Sequence, residues 1–74
     1  MNYITIRDNN IKLGQAMKLA GLVDEGVDAK FAIQNGEVLV NGEVETRRGR
    51  KLTDGDVFSW QGEEIQVQTT EDRN

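Results

Sequence analysis

The chain contains neither cysteine nor histidine among its 74 residues. Without cysteine it cannot form a disulfide framework or a thiolate metal site. Without histidine it lacks the usual general base of enzymes and the commonest metal ligand. A domain of this length has a thin hydrophobic core and marginal stability. We therefore expect one small domain over residues 1–74, with no metal and no cofactor.

Long hydrophobic runs are also missing, and none approaches the roughly 20 residues that a membrane-spanning helix requires. The N-terminal segment MNYITIRDNN lacks the basic start and the apolar block of a signal peptide. These two absences favour a soluble cytoplasmic protein that makes no membrane contact. The thirteen acidic residues are scattered along turns and solvent faces. Because no serine or threonine has a histidine to activate it, we do not expect an enzyme.

Two short helices are predicted from the spacing of apolar residues. In the first, Leu13, Ala16, Met17 and Ala20 form one apolar stripe, and Gly21 is suited to end the helix. The second begins near residues 24–25 and runs to residue 35, before a glycine at position 36. It is apolar on two sides, which is typical of a helix packed between two layers. Its two stripes are Ala29, Ala32 and Ile33 on one side and Val27 and Phe31 on the other.

Several strands are predicted around these helices. Residues 3–6 alternate as a short strand, and Asn41-Gly42 is a strong signal for a hairpin with a type I′ turn. Residues 57–60 and 64–68 are expected to form two later strands, and residues 69–74 a polar tail that frays. The resulting order predicts an α+β domain with two short helices packed on a small, mostly antiparallel sheet.

The aromatic residues are few, and we expect most of them in the core. Phe58 and Trp60 lie on one face of a predicted strand, where they could serve as stacking platforms for RNA bases. In a domain with so few aromatic residues, core packing is the better interpretation for both and for Phe31. Tyr3 is left open between the two roles.

The sequence TRRGRK at positions 46–51 concentrates positive charge in an acidic chain. The net charge is −4, yet four of the nine basic residues fall within these six positions. Guanidinium groups pair well with phosphates, and Gly49 would let a ligand approach the backbone closely. The alternative is a solvated loop whose arginines balance Glu43 and Glu45. Taken alone, the cluster leaves that alternative slightly ahead. The basic residues are Arg47, Arg48, Arg50 and Lys51.

The chain over about residues 12–60 resembles the S-four RNA-binding domain, a family named after protein four of the small ribosomal subunit. Lys12-Leu13-Gly14 stands where the family has Arg-Leu-Asp, and Gly21-Leu22 stands at the end of the first helix. The pattern of the second helix and the following strand is also present in order and spacing. Its matching residues are Ala29, Lys30, Ile33, Gly36, the run VLVNG at positions 38–42, and Gly55-Asp56-Val57-Phe58.

The resemblance implies an RNA-binding face made by the two helices, the hairpin and the loop after it. By position in the family pattern, Lys12 takes the basic role at the start of the first helix and Lys30 that of the second helix. The basic loop 47–51 adds its four cations, and Lys18 joins the set because helix geometry exposes it. Two departures weaken this face: Glu25-Gly26 replaces the family's Ser-Arg, and Gly14 replaces its Asp.

We therefore predict a noncatalytic protein that binds structured RNA, ribosomal or transfer RNA, as the small stand-alone bacterial members of the family do. A protein partner on the ribosome is also compatible with this prediction. Reversing the charges of Arg47, Arg48 and Arg50 is expected to abolish RNA binding and leave the fold intact. The main alternative is a protein-interaction module that has kept the fold and lost the RNA site, which the acidic balance favours. A ubiquitin-like carrier is nearly excluded, because such carriers end in Gly-Gly.

Overall fold

A computed structural model describes residues 2–70 of the chain. In this part of the chain the elements follow one another in the order strand, strand, helix, helix and five further strands. Their bounds are β1 Asn2–Ile6, β2 Ile11–Lys12, α1 Leu13–Leu19, α2 Gly26–Gln34, β3 Leu39–Val40, β4 Glu43–Val44, β5 Lys51–Leu52, β6 Val57–Trp60 and β7 Glu63–Thr69.

The main sheet has the strand order β1-β7-β6-β3-β4. All of its neighbouring pairs are antiparallel except β1 and β7, which run parallel with Ile4 opposite Val67. The prediction of a mostly antiparallel sheet beside two helices is confirmed. The sequence did not predict the second, two-stranded ladder, in which β2 pairs antiparallel with β5. This ladder places Lys51 in a strand and not in the loop.

The two helices form where the apolar spacing predicted them. In α1 the residues Leu13, Ala16 and Met17 are fully buried. Gly21 ends this helix with φ of +78°, and Gly36 follows α2 with φ of +77°, a backbone region that few other residues enter without strain. Both helices therefore stop at the predicted glycines.

The expectation that α2 packs between two layers is wrong. Ala29, Ala32 and Ile33 are buried against the core, but Val27 and Phe31 are 49% and 58% exposed. Within residues 2–70, no element covers this outer side of α2. Assigning Phe31 to the core was therefore also wrong, because a two-sided apolar pattern does not reveal whether a second layer exists.

The other aromatic residues divide between core and surface. Phe58 is fully buried, as predicted, and Trp60 is half-buried and packs against the core. Tyr3, which the sequence left open, is 55% exposed. Phe58 therefore cannot serve as a stacking platform for a base.

The turns follow their residue chemistry. Asn41 and Gly42 have φ of 53° and 85°, as the predicted type I′ turn requires. The end of the described chain differs from its prediction, because β7 extends to Thr69 and the Thr70 amide donates to the Ile6 carbonyl at 2.8 Å. Pairing with β1 thus orders the start of the segment that was expected to fray. The rest of that segment, residues 71–74, lies outside the described residues.

Candidate nucleic-acid interface

The basic segment folds back onto the first turn of α1. The amide of Leu13 donates to the Arg50 carbonyl at 2.8 Å, and the amide of Gly14 donates to the Arg48 carbonyl at 3.1 Å. Amides in the first turn of a helix have no partner within the helix. Lys12, at the N-cap position, supplies no side-chain hydrogen bond either. The loop backbone therefore caps α1, and the helix in turn holds the loop in place.

A buried carboxylate, Glu45, organises the same loop from inside. Its side chain accepts hydrogen bonds from Arg47 Nε at 3.0 Å, Arg47 Nη2 at 3.2 Å and Arg50 Nη1 at 2.8 Å. The Arg47 amide also donates to Glu45 Oε2 at 3.0 Å. Hydrogen bonds from Arg47, and then from Arg50, lower the pKa of Glu45 from its usual 4.5 to about 2. Glu45 therefore stays ionised and holds the side chains of both arginines in ion pairs.

We call the cluster of Glu45, Arg47 and Arg50 the Glu45 clamp. It separates the cationic residues of the loop into two kinds, those paired with Glu45 and those that are not. The ion pairs within residues 2–70 are those of Glu45 with Arg47 and Arg50, and Glu43 takes no part in one. The interpretation that loop arginines balance a nearby glutamate is thus right for these two. The expectation that both can be reversed without harm to the fold is not supported, because removing the partners of a buried charge is strongly destabilising.

Arg48 is in a different position, over the start of α1. A Cβ atom built on Gly14 would lie 2.7 Å from Cγ and 3.3 Å from Cδ of Arg48. Real Cβ atoms do not approach other atoms this closely, so the stem of Arg48 occupies space that only glycine leaves free. Arg48 has no ion-pair partner among the described residues. Its guanidinium therefore remains available to an anion.

A groove of about 370 Å³ opens at this point. Its cationic residues are Lys12, Lys18 and Arg48, drawn from the start of α1, the exposed side of α1 and the loop. No acidic residue contributes to it, and three glycines make parts of its wall backbone alone. The full lining is Lys12, Gly14, Gln15, Lys18, Gly26, Arg48 and Gly49. We call this feature the basic groove.

Two further predicted cations flank the basic groove. Lys51 in β5 lies directly opposite Lys12 in β2. Like charges at opposite positions of a ladder destabilise it, so an anion between them would relieve a repulsion built into the fold. Lys30 follows Gly26 by one turn of α2 and therefore lies on the same edge of that helix. Five of the seven predicted residues thus lie in or beside the basic groove, and Arg47 and Arg50 belong to the Glu45 clamp.

Sequence reasoning missed four residues that shape this surface. Gln15 lines the basic groove, and Gly14 and Gly26 form part of its wall. Both glycines were visible only as departures from the family pattern. Glu45 was noticed for its charge alone, because nothing in the local sequence indicates that its side chain is buried.

Two other kinds of site are absent from residues 2–70. None of the helices there is long and apolar enough to cross a membrane. The acidic residues in the same range form no group of three that could hold a metal ion.

Comparison with known proteins gives a consistent result. The model of the S4 domain matches residues 4–68. The chain is 48% identical over 61 residues to the probable ribosome maturation protein RlbA of Bacillus subtilis, covering 82% of this chain and 86% of RlbA. It is 40% identical over 58 residues to YbcJ of Escherichia coli, covering 78% of this chain and 83% of YbcJ.

Solved structures show the same likeness. The solution structure of Escherichia coli YbcJ, described as revealing an αL motif involved in RNA binding, matches with a TM-score of 0.71 at 35% identity. That match covers 92% of this chain and 87% of YbcJ. Ribosomal protein S4e of Thermoplasma acidophilum matches with a TM-score of 0.59 at 22% identity, over 78% of this chain and 31% of S4e. At that identity the second likeness shows a shared fold only.

Proposed function

The chain belongs to the S4 domain family, and from that membership we propose that it is a noncatalytic protein that binds structured RNA through the basic groove. One observation carries the proposal. In a chain with a net charge of −4, a groove collects three cations and three glycines and no carboxylate. An acidic protein that binds a polyanion requires such a local separation of charge, because screening limits charge effects beyond about 8 Å at physiological salt.

Lys12, Lys18 and Arg48 would contact phosphates, with Lys30 and Lys51 extending the contact on either side. The glycine wall lets a sugar-phosphate backbone approach the protein backbone closely. The deep major groove of an RNA helix excludes side chains, so recognition would follow the shape and phosphate positions of folded RNA. Arg47 and Arg50 would act indirectly in this proposal, by fixing the loop that presents Arg48.

We propose that the target is ribosomal RNA in the cytoplasm. A protein partner on the ribosome is compatible with this proposal. The support is the name of the relative RlbA, which is a probable ribosome maturation protein. Catalysis is not part of the proposal, because the groove offers lysine, arginine, glutamine and glycine. Its lysines and arginine supply the positive charge that a phosphate backbone requires.

Binding of a fluorescently labelled RNA hairpin, measured by anisotropy at low salt, tests the proposal. We expect the double variant Lys12→Glu and Arg48→Glu to lose binding, because both charges line the basic groove and neither belongs to the Glu45 clamp. The matched comparison is Arg7→Glu against the single variant Arg48→Glu, because each reverses one exposed charge and only Arg48 lines the groove. Five phosphate contacts predict a slope of about −4 for log affinity against log salt.

Two outcomes would contradict the proposal. One is equal RNA affinity of the double variant and the wild-type protein. The other is an equal loss in the Arg7→Glu control, because the groove would then have no special role. Thermal unfolding of each variant establishes that a loss of binding is not a loss of fold. Crosslinking in cells followed by sequencing of the bound RNA identifies the target.

A further inference from the structure

The far side of α2 borders a second groove of opposite character. It encloses about 370 Å³, contains three acidic residues and no basic one, and has two aromatic side chains in its wall. Its lining residues are Leu22, Val23, Asp24, Asp28, Phe31, Ala32, Asn35, Glu37 and Trp60. We call this feature the acidic groove.

Helix α2 separates the two grooves. At 3.6 residues per turn, Gly26 and Lys30 share the edge that faces the basic groove. Asp28 and Asn35 share the opposite edge and line the acidic groove. Between the two edges runs an exposed apolar ridge formed by Val27 and Phe31, which are one turn apart. One short helix therefore presents a cationic edge, an apolar ridge and an anionic edge.

Fold stability accounts for part of this arrangement but not all of it. Asp28 lies in the first turn of α2, where a negative charge interacts favourably with the helix dipole. The dipole gives no reason for a phenylalanine that is 58% exposed. Single exposed apolar residues are ordinary, but Val27 and Phe31 form a continuous ridge beside a groove.

Hydrogen bonds connect residues in the wall of the acidic groove. The indole Nε1 of Trp60 donates to Glu37 Oε1 at 3.0 Å, and Asn35 Nδ2 donates to Glu37 Oε2 at 3.5 Å. Trp60 itself packs against the core. The carboxylate of Glu37 is thus fixed in place beside an aromatic ring. Aromatic faces and carboxylates together are the groups that bind a cationic side chain.

We propose that the acidic groove docks an arginine- or lysine-rich segment of a partner protein. One cationic side chain enters between Phe31 and the carboxylates of Asp24 and Asp28, and an apolar neighbour covers the ridge. Charge complementarity selects this occupant, because three carboxylates repel an RNA backbone. The ridge gives a protein segment an apolar contact that a free polyamine cannot use. The acidic groove contains none of the residues to which we assign RNA binding. The two proposals can therefore be tested independently of each other.

Trp60 is the single tryptophan of the chain, and its fluorescence reports on the acidic groove. The probe is a synthetic peptide in which arginine and leucine alternate, titrated into the full-length protein. We expect a saturable change in Trp60 emission. Asp28→Asn and Phe31→Ala should each weaken peptide affinity by about threefold or more, the size of a lost ion pair or cation–π contact.

Matched controls lie on β4, outside the lining of the acidic groove. Glu43→Gln removes one negative charge, as Asp28→Asn does, and Val44→Ala shortens an apolar side chain that is 60% exposed. We expect both to keep wild-type peptide affinity. Asp28→Asn is an exposed substitution outside the core, so it remains informative even if Phe31→Ala is unstable.

Four results would overturn the proposal. They are no saturable emission change, an equal loss of affinity in Glu43→Gln, an equal response to spermidine, and a loss of RNA hairpin affinity in Phe31→Ala. The second would mean that net charge alone attracts the peptide. The third would assign the acidic groove to a small cation, and the fourth would assign the ridge to RNA.

Discussion

Gly14 and Arg48 share one space at the start of α1. The Gly14 amide donates to the Arg48 carbonyl at 3.1 Å, and a Cβ atom on Gly14 would lie 2.7 Å from Arg48 Cγ. The absence of a side chain at position 14 allows the arginine stem to lie against the helix backbone. Glycine at position 14 is therefore a condition for the present position of Arg48.

Gly14→Ala should lower RNA affinity towards that of Arg48→Ala, because the added methyl group displaces the Arg48 stem. Stability should change little, because alanine gains up to about 1 kcal/mol over glycine in a helix and offsets the disturbed contact. Anisotropy and urea unfolding measure the two effects. In an Arg48→Ala background, Gly14→Ala should have no further effect on RNA binding. Additive losses would show that the two residues act independently.

Gly26→Arg should strengthen RNA binding, because it adds a cation to the lining of the basic groove. No atom lies within 4 Å of a Cβ built on Gly26, so the new side chain meets no obstacle. One added phosphate contact should steepen the salt slope by about 1. Gly26→Ala is the control that separates the helix effect from the charge. Equal affinity of the two variants would mean that this edge of the groove does not meet RNA.

Glu45→Gln should remove an acid-dependent part of the stability. The pKa of Glu45 is lowered from 4.5 to about 2 by Arg47 and Arg50. A lowered pKa stabilises the folded state above the unfolded value, and this contribution disappears as pH falls from about 4.5 towards 2. Urea unfolding from pH 6 down to pH 2 measures it.

At pH 6 we expect Glu45→Gln to cost about 2 kcal/mol, because charged hydrogen bonds are lost. Glu43→Gln, on the exposed strand β4, should keep the wild-type pH dependence. If Glu45→Gln also kept the wild-type pH dependence of the free energy of unfolding, the Glu45 clamp would not be the source of that dependence.

Lys51→Thr should separate stability from function. Removing one of two opposed lysines relieves a repulsion, so we expect the free energy of unfolding to rise by about 0.2–1 kcal/mol. RNA affinity should fall and the salt slope should become shallower by about 1, because one phosphate contact is lost. Unfolding and anisotropy on the same sample measure both. A fall in stability would show that an unrecognised contact of Lys51 outweighs the repulsion.

Much of the fold was accessible from local patterns. The stripe of Leu13, Ala16 and Met17 predicted α1, and the Asn41-Gly42 turn appeared where its chemistry required positive φ. The outer side of α2 was not accessible in this way. Whether Phe31 is covered depends on an element elsewhere in the chain, and no local pattern contains that information.

In the candidate site, too, some features follow from local sequence and others depend on tertiary contacts. By itself the sequence determined that positive charge concentrates in TRRGRK and that the chain carries the S4 pattern, because both depend on residue type and order. Only the tertiary structure decided which cations are free. The buried carboxylate of Glu45 holds Arg47 and Arg50. Pairing of β2 with β5 and capping of α1 by the loop bring Lys12, Lys51 and Arg48 together. These contacts join residues far apart in the chain, and their energies depend on burial and distance.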